Sequence, residues 1–176
     1  MRLRPATVAD IEGIAELHAD SWRRNYRGAF GDAFLDGDLV GERRAAWTER
    51  LTQPGPNDHT IVADPGDGDS TVVGLAHTIF DRDPQLGAVL DNLHVRHGLK
   101  GQGLGRRLVV ATAEAVVAHD PESGLYVEVL EQNTAAHAFY ERLGARCVHQ
   151  GTFAPPGGGL THERRYAWPT PATLLQ

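Results

Sequence analysis

Residues 93–108 read LHVRHGLKGQGLGRRL, and this stretch does most to decide the fold. An apolar strand precedes the glycines and an amphipathic helix follows them. Gly101, Gly103 and Gly105 carry no side chain, so the backbone N–H groups between strand and helix can converge on one point. The first N–H groups of a helix are unpaired and lie at the positive end of its dipole. The stretch therefore predicts a cradle for a pyrophosphate group.

The spacing of these glycines excludes the two common nucleotide-binding motifs. A P-loop has Gly-x-x-x-x-Gly-Lys followed by Ser or Thr, whereas Lys100 precedes the glycines and no hydroxyl residue follows them. A dinucleotide-binding Gly-x-Gly-x-x-Gly that began at Gly101 would need its last glycine at Arg106. One that began at Gly103 would need it at Leu108.

The spacing that fits is (Arg/Gln)-x-x-Gly-x-(Gly/Ala), with Lys100, Gly103 and Gly105 at the defining positions. This arrangement resembles the acetyl-CoA-binding motif of the GNAT superfamily of N-acetyltransferases. Lys100 departs from the motif because arginine or glutamine is usual there, and lysine keeps the positive charge without the planar fork of arginine. The backbone donors of the cradle do not depend on that side chain.

A second block, residues 125–145, reads as a strand, then Asn133, then a short helix. This order resembles the late GNAT signature, in which the helix carries Phe-Tyr-Glu-x-Leu-Gly, here residues 139–144. The opening of the chain, residues 4–11, is also similar to the usual opening of the family. The resemblance covers residues 2–168, which is most of the chain.

The resemblance implies an α/β (α+β) GNAT fold. Its mixed central sheet would have six to seven strands, splayed between the fourth and fifth, and about four flanking helices. We expect a single acetyltransferase domain over residues 1–168 and a C-terminal tail over residues 169–176. An irregular segment is expected from Trp22 to Asp38, and an acidic turn at residues 64–69 is expected to join two strands. Helices are predicted over residues 11–21, 39–51, 104–119 and 134–143, and strands over residues 2–4, 60–63, 71–79, 88–95, 125–130, 147–153 and 164–168.

The composition of the chain bounds its function. Its 176 residues fit one domain, and its net charge of −6 argues against nucleic acid as the main partner. No apolar run approaches membrane-spanning length, no signal-peptide pattern opens the chain, and we expect a cytoplasmic protein with no membrane partner.

The single cysteine, Cys147, is expected to be a buried small residue. The nine histidines lack metal-ligand spacing, so no metal site is predicted.

The resemblance makes acetyl-CoA the cosubstrate. Backbone groups of the fourth strand would face the pantetheine arm, and those of the glycine loop would hold the pyrophosphate. Asn133 is expected to bind pantetheine, to cap the helix that follows it, or both. The expected cofactor-binding residues are Leu93, His94, Val95, Lys100, Gly101, Gln102, Gly103, Leu104, Gly105, Arg106, Asn133 and Tyr140.

Two residues are expected to handle protons in the reaction. Tyr140 is the candidate acid, since a phenol has a pKa near 10 and stays protonated at neutral pH. The resemblance puts its hydroxyl near the sulfur of CoA. Glu128 is the candidate base, expected to be partly desolvated, and its position resembles the glutamate of some ribosomal-protein alanine N-acetyltransferases. His94 and Asp91 are rival bases, and a water chain is a further alternative.

The acceptor amine is expected to bind near Trp22, Tyr26, Asp91 and His94, although the aromatic residues of this region could instead form a small core. The function predicted from the resemblance is direct transfer of an acetyl group from acetyl-CoA to a primary amine of a small molecule or peptide, in a ternary complex. The alternative is a catalytically silent acyl-CoA-binding sensor or regulatory module. A homodimer is plausible for this fold, but no sequence feature decides it.

Overall fold

The computed structural model describes residues 1–66 and 71–176, so part of the expected acidic turn at residues 64–69 lies outside the described residues. The chain forms one seven-stranded sheet in the order β1-β2-β3-β4-β5-β7-β6. The strands are β1 Arg2–Pro5, β2 Asp58–Asp64, β3 Gly74–Asp83, β4 Gly87–Val95, β5 Leu125–Leu130, β6 Arg146–Phe153 and β7 Thr161–Trp168. The α-helices are α1 Ile11–Asn25, α2 Asp32–Asp36, α3 Leu39–Thr52, α4 Leu104–His119 and α5 Thr134–Arg142.

The central feature of the sheet is the short pairing between β4 and β5. These parallel strands pair only at Ala88 with Leu125 and at Val89 with Tyr126. On its other edge β5 stays paired with β7 along its whole length. The facing edges of residues 90–95 and 127–130 therefore carry backbone groups without ladder partners, as the expected splay requires.

A bulge in β4 lies where the two strands separate. His77 of β3 pairs with Asn92, and Thr78 pairs with Leu90, which leaves Asp91 without a partner on β3. An extra residue in one strand bends that strand and increases its twist. The bulge thus directs the end of β4 away from β5.

Helices cover both faces of the sheet, each with its own apolar cluster. On one face α4 packs Leu104, Leu108 and Val109 into a core that also contains Leu90 and Val127. On the other face α1 and α3 bury a second cluster against β2 and β3: Ile14, Leu17, Trp47, Val62, Val72 and Leu75. The cleft between β4 and β5 therefore lies at the centre of the sheet, between two independently packed layers.

The first helix is longer than its apolar spacing predicts. It continues to Asn25, and α2 forms a further turn over Asp32–Asp36, so the expectation of an irregular segment from Trp22 to Asp38 is wrong for these residues. The extra turn of α1 is stabilised by aromatic packing. Trp22 stacks on Tyr26 one turn later at 5.6 Å between ring centroids.

The C-terminal strands correct one further expectation. Cys147 is exposed rather than buried, because β6 is the last strand of the sheet and its residues 146–150 all face solvent. The segment after Trp168 forms a 3₁₀ turn at Pro171–Leu175, and Leu174 is buried in the α4 core cluster. No helix within the two described ranges has the length and apolar content needed to span a membrane.

Three histidines are buried in the core on or beside these strands. Trp47 donates its indole N–H to His18 Nδ1 at 3.0 Å, and the hydroxyl of Thr60 contacts His77 Nδ1 at 2.8 Å. The third, His94, lies over His18 with 4.4 Å between ring centroids. Burial lowers the pKa of all three, to about 4 for His77 and to about 3 for His94, so each is neutral at neutral pH.

These histidines make the stability of the fold dependent on pH. In the unfolded chain they take up protons as the pH falls through about 6.5. In the folded chain the pKa is about 4 for His77 and about 3 for His94, and burial holds the pKa of His18 well below its usual value. Their contribution is complete above pH 6.5 and is lost below it. We expect the free energy of unfolding to fall by about 1.4 kcal/mol for each histidine between pH 7.5 and 5.5.

Urea denaturation at the two pH values measures this loss. His77→Gln should remove about one third of the pH dependence that the three histidines produce together. His162→Gln, which changes an exposed histidine, should leave the dependence as it is. Equal stability of the unaltered chain at pH 7.5 and 5.5 would contradict the burial of neutral histidines.

Candidate active site

A cavity of about 760 Å³ occupies the space between the separated ends of β4 and β5. Residues of α1, the glycine loop, α5 and the C-terminal strands complete its walls. Most of the residues expected from the sequence to form the site lie on these walls. They are Tyr26, Asp91, Leu93, His94, Val95, Lys100, Gly101, Gly103, Gly105, Arg106, Glu128, Asn133 and Tyr140.

Three expected site residues do not line the cavity: Trp22, Gln102 and Leu104. The ring of Trp22 packs behind Tyr26 and lies under the guanidinium of Arg43, 4.3 Å from ring centroid to Cζ. The side chain of Leu104 is buried in the α4 core, and that of Gln102 is exposed. At Leu104 and Gln102, only the backbone can contribute to the cradle.

The glycine loop forms a backbone cradle at the start of α4. Gly101 and Gly103 have φ of 80° and 84°, a left-handed backbone conformation that residues other than glycine rarely adopt. The first helical bond of α4 runs from the N–H of Arg107 to the carbonyl of Gly103 at 3.1 Å. Among the described residues, the N–H groups from Gly101 to Arg106 have no hydrogen-bond partner, which is the arrangement that an anion site needs.

Asn133 fixes the start of α5 beside the cavity. Its side-chain oxygen accepts a hydrogen bond from the N–H of Ala136 at 3.2 Å, so it caps the helix as expected. This bond uses the oxygen and leaves the side-chain NH₂ group as a donor. The cap sets the direction in which α5 presents Tyr140 to the cavity.

Tyr140 is 5% exposed and lies on the cavity wall. Trp168 packs edge-on against its ring at 5.9 Å between centroids. Burial, assisted by the neighbouring Tyr26, raises the pKa of the Tyr140 hydroxyl above its usual value. The phenol is therefore a proton donor, not a phenolate, throughout the neutral range.

Glu128 reaches the cavity from β5 but is less buried than expected. Its side chain is 40% exposed, and its Oε1 accepts from Nη2 of Arg165 at 2.9 Å. Arg165 faces it directly on β7, because the two residues are partners in the antiparallel register. The carboxylate keeps contact with solvent, because it lies at the open side of the separated strand.

The two rival bases lie on β4 and are both engaged with neighbours. The hydroxyl of Ser21 contacts His94 Nδ1 at 2.9 Å, and burial, followed by the charges of Lys100 and Arg43, holds the His94 pKa near 3. Oδ2 of Asp91 accepts from Arg50 at 3.0 Å, and it also accepts from the side chain of the adjacent asparagine.

The side of the cavity that faces α1 is aromatic and acidic. Phe30 packs against Tyr26 at 4.9 Å and against Phe153 at 6.3 Å between ring centroids. Glu163 of β7 also lies on this wall. The sequence reasoning missed Phe153 and Glu163 as site residues, because no local motif joins the last two strands to a loop more than 100 residues earlier.

Two loops meet through their backbones at this side of the cavity. Gly31 precedes α2, and Gly157 lies in the turn between β6 and β7 with φ of 89°. A Cβ added at Gly157 would lie 3.0 Å from both N and Cα of Gly31. The contact holds the β6–β7 turn against α2 beside Phe30 and Phe153.

Comparison with known proteins gives the class of this fold and site. Residues 11–145 match the family model of the acetyltransferase (GNAT) family, and the chain belongs to that family. It is therefore an acyltransferase enzyme. Within residues 1–66 and 71–176, no group of three or more His, Cys, Asp or Glu side chains is arranged to hold a metal ion.

Individual relatives agree with this assignment. An uncharacterised N-acetyltransferase of Bacillus subtilis (strain 168), YuaI, is 29% identical over 174 residues, which cover 98% of this chain and 95% of that protein. The crystal structure of the ribosomal-protein-alanine N-acetyltransferase from Brucella melitensis aligns with a TM-score of 0.71 at 21% identity, over 96% of this chain and 99% of the other.

A third relative was solved with a ligand. The structure of the PaiA N-acetyltransferase from Thermoplasma acidophilum, in complex with coenzyme A, aligns with a TM-score of 0.67. The two sequences are 18% identical, and the alignment covers 94% of this chain and 98% of the other. At this identity the likeness concerns the fold.

The contact between Gly31 and Gly157 can be tested by stability. Gly157→Ala and Gly158→Ala both place a side chain at positive φ, and each should cost about 1–3 kcal/mol for that reason. The added methyl group meets the backbone of Gly31 only at position 157, since nothing lies within 4 Å of a Cβ at position 158. We therefore expect Gly157→Ala to lose roughly 1–3 kcal/mol more than Gly158→Ala in urea denaturation. Equal losses would show that the two loops are not in contact.

Proposed function

We propose that this enzyme transfers the acetyl group of acetyl-CoA to a primary amine of a small molecule or peptide, directly and within a ternary complex. One observation carries the proposal. The glycine cradle at the start of α4 opens into the slot where β4 and β5 separate, and Tyr140 lies on the wall of that slot. A donor with a pyrophosphate, an extended arm and a reactive thioester fits such an arrangement.

The residues on the donor side suit acetyl-CoA. The unpaired edges of residues 90–95 and 127–130 offer backbone groups to the amides of pantetheine, and Leu93 and Val95 lie on the first of these edges. The N–H groups from Gly101 to Arg106 suit the pyrophosphate. Lys100 also lines the slot and adds positive charge. The coenzyme A complex of the PaiA relative supports this assignment.

Bound acetyl-CoA supplies a thioester whose acyl carbon accepts the amine and whose sulfur leaves as a thiolate. In our proposal the hydroxyl of Tyr140 protonates that thiolate. Burial raises the pKa of this hydroxyl, so its proton is retained until a strong base develops beside it. Asn133 supports the arrangement by capping the helix that carries the tyrosine.

Glu128 is our choice for the base that accepts the proton of the amine, directly or through water. Arg165 donates to its Oε1, and the side chain stays partly exposed, so a substrate can reach the carboxylate. His94 is a weaker base, because its pKa is about 3. The rival carboxylate, Asp91, already accepts from Arg50.

The acceptor amine would bind between α1 and the C-terminal strands. Tyr26, Asp91 and His94 line this side together with Phe30 and Phe153. An aromatic wall packs against the carbon skeleton of an amine, and carboxylates attract its ammonium form. The acceptor proposed here is therefore a cation before it reacts.

Tyr140→Phe tests the enzymatic role. We expect kcat to fall by about 10²–10⁴-fold, because the leaving thiolate loses its proton donor. Affinity for CoA should stay within about twofold, since the ring that lines the slot is retained. The assay is release of free thiol from acetyl-CoA with a panel of primary amines, and thermal melting with CoA measures binding.

Tyr166→Phe is the matched control, because it removes a hydroxyl that bonds to Glu141 outside the cavity. It should keep its activity. If Tyr140→Phe also keeps full activity, the tyrosine is not the acid. If the unaltered protein binds acetyl-CoA and releases no thiol with any amine, the silent acyl-CoA-binding sensor replaces the enzyme.

Gly103→Ala tests the cradle. A side chain at φ of 84° strains the loop by about 1–3 kcal/mol, and the loop can relieve that strain only by turning its N–H groups away. We expect the Kd for CoA to rise by about 10-fold to 100-fold in calorimetry. Gly98→Ala is the control: nothing lies within 4 Å of a Cβ at either position, but Gly98 does not have a positive φ, so this variant should bind CoA normally. Unchanged binding by Gly103→Ala would remove the cradle from the donor site.

A further inference from the structure

Glu163 is a half-buried carboxylate on the cavity wall. Within the described residues 1–66 and 71–176, no hydrogen bond or ion pair joins its side chain to another residue. Burial, followed by the negative charge of Glu128, raises its pKa above the usual value for a glutamate. The charges of Arg165 and His149 offset this rise only in part, so a cation that paired directly with the carboxylate would stabilise it.

The other two carboxylates of the cavity each have a cationic partner. Asp91 pairs with Arg50 at 3.0 Å, and Glu128 pairs with Arg165 at 2.9 Å. Among the described residues, Glu163 is therefore the carboxylate of the cavity that lacks a salt-bridge partner. An acceptor that pairs with Glu163 carries a positively charged group in addition to the amine that reacts.

The register of the sheet fixes where Glu163 lies relative to the proposed base. Glu128 faces Arg165 on β7, and Glu163 lies two residues before Arg165 on the same strand. Residues two apart on a strand share a face, and diagonal neighbours on paired strands are roughly 7–8 Å apart. The two glutamates therefore present their carboxylates to one side of the sheet, at about the length of a four-carbon diamine.

A second observation in the same cavity points to a ligand. His94 lines the cavity and is 6% exposed, and its Nε2 has no hydrogen-bond partner among the described residues. A buried ring nitrogen of this kind gains stability when a bound molecule supplies the missing partner. His94 lies on β4, across the cavity from β7, and its ring contacts Ser21 of α1.

We propose that Glu163 is a specificity-determining residue that binds a second positive charge on the acceptor, so that diamines and similar dications are preferred to monoamines. This inference rests on the proposed acetyltransferase function and on Glu128 receiving the reactive amine. Tyr26, Phe30 and Phe153 would then enclose the carbon chain between the two charges.

The test compares two acceptors of the same shape, 1,4-diaminobutane and n-pentylamine, in which a methyl group replaces the second ammonium. With the unaltered enzyme and acetyl-CoA, kcat/KM for the diamine should exceed that for the monoamine by about tenfold or more. Glu163→Gln should lower kcat/KM for the diamine to the value for the monoamine, and should leave the monoamine within about twofold.

Glu122→Gln is the matched control, because it removes the same charge from an exposed turn outside the cavity, and it should preserve the preference for the diamine. Three results overturn the inference: equal kcat/KM for the two amines, an equal fall for both in Glu163→Gln, or acetyl-CoA binding with turnover of neither amine. The comparison of the two amines on the unaltered enzyme stands even if the variant fails to fold. If acetyl-CoA does not stabilise the protein in thermal melting, the proposed acetyltransferase function is wrong. That result is distinct from the three that overturn the inference about Glu163.

Discussion

The structure depends on one constraint, which is that β4 and β5 are hydrogen-bonded through only two residue pairs before they separate. A parallel pair of strands would normally continue its ladder and close the sheet. The bulge at Asp91 bends β4, and β7 holds β5 on its far edge, so the two strands cannot meet again. Backbone groups that would satisfy each other are instead presented to a cavity, and most of the candidate site residues are arranged around that gap.

The two sides of the gap differ in how they are built. The proposed donor side is built of backbone: the glycine loop, the start of α4 and the open strand edges. The proposed acceptor side is built of side chains contributed by α1, β4, β5 and β7. A backbone site specifies a shape and a charge distribution that many sequences can form, whereas a site made of side chains changes with each substitution. This division explains why the family is evident from the chain and the acceptor is a proposal.

The sequence predicted the local structure around the glycine loop and α5 because those signals are short-range. The glycine positions 101, 103 and 105, the cap at Asn133 and the strand before each helix are of this kind, and the structure has all of them. It did not predict that the last two strands contribute to the cavity wall. Glu163 and Phe153 reach the cavity only through the pairing of β7 with β5 and the order of the last strands. The exposure of Glu128 and Cys147 likewise depends on which strand edge is left open, and no single segment encodes that.

The contact between Gly31 and Gly157 has a consequence for how such an enzyme can diverge. The two loops beside the acceptor side meet at main chain atoms, and Phe30 packs against Phe153 next to that contact. Side chains of either loop that take no part in this packing can therefore be exchanged without loosening the junction. Gly31 and Gly157 hold the two loops together, and other residues around them can vary. A new acceptor can therefore be accommodated by substitution while the opening of the cavity keeps its shape.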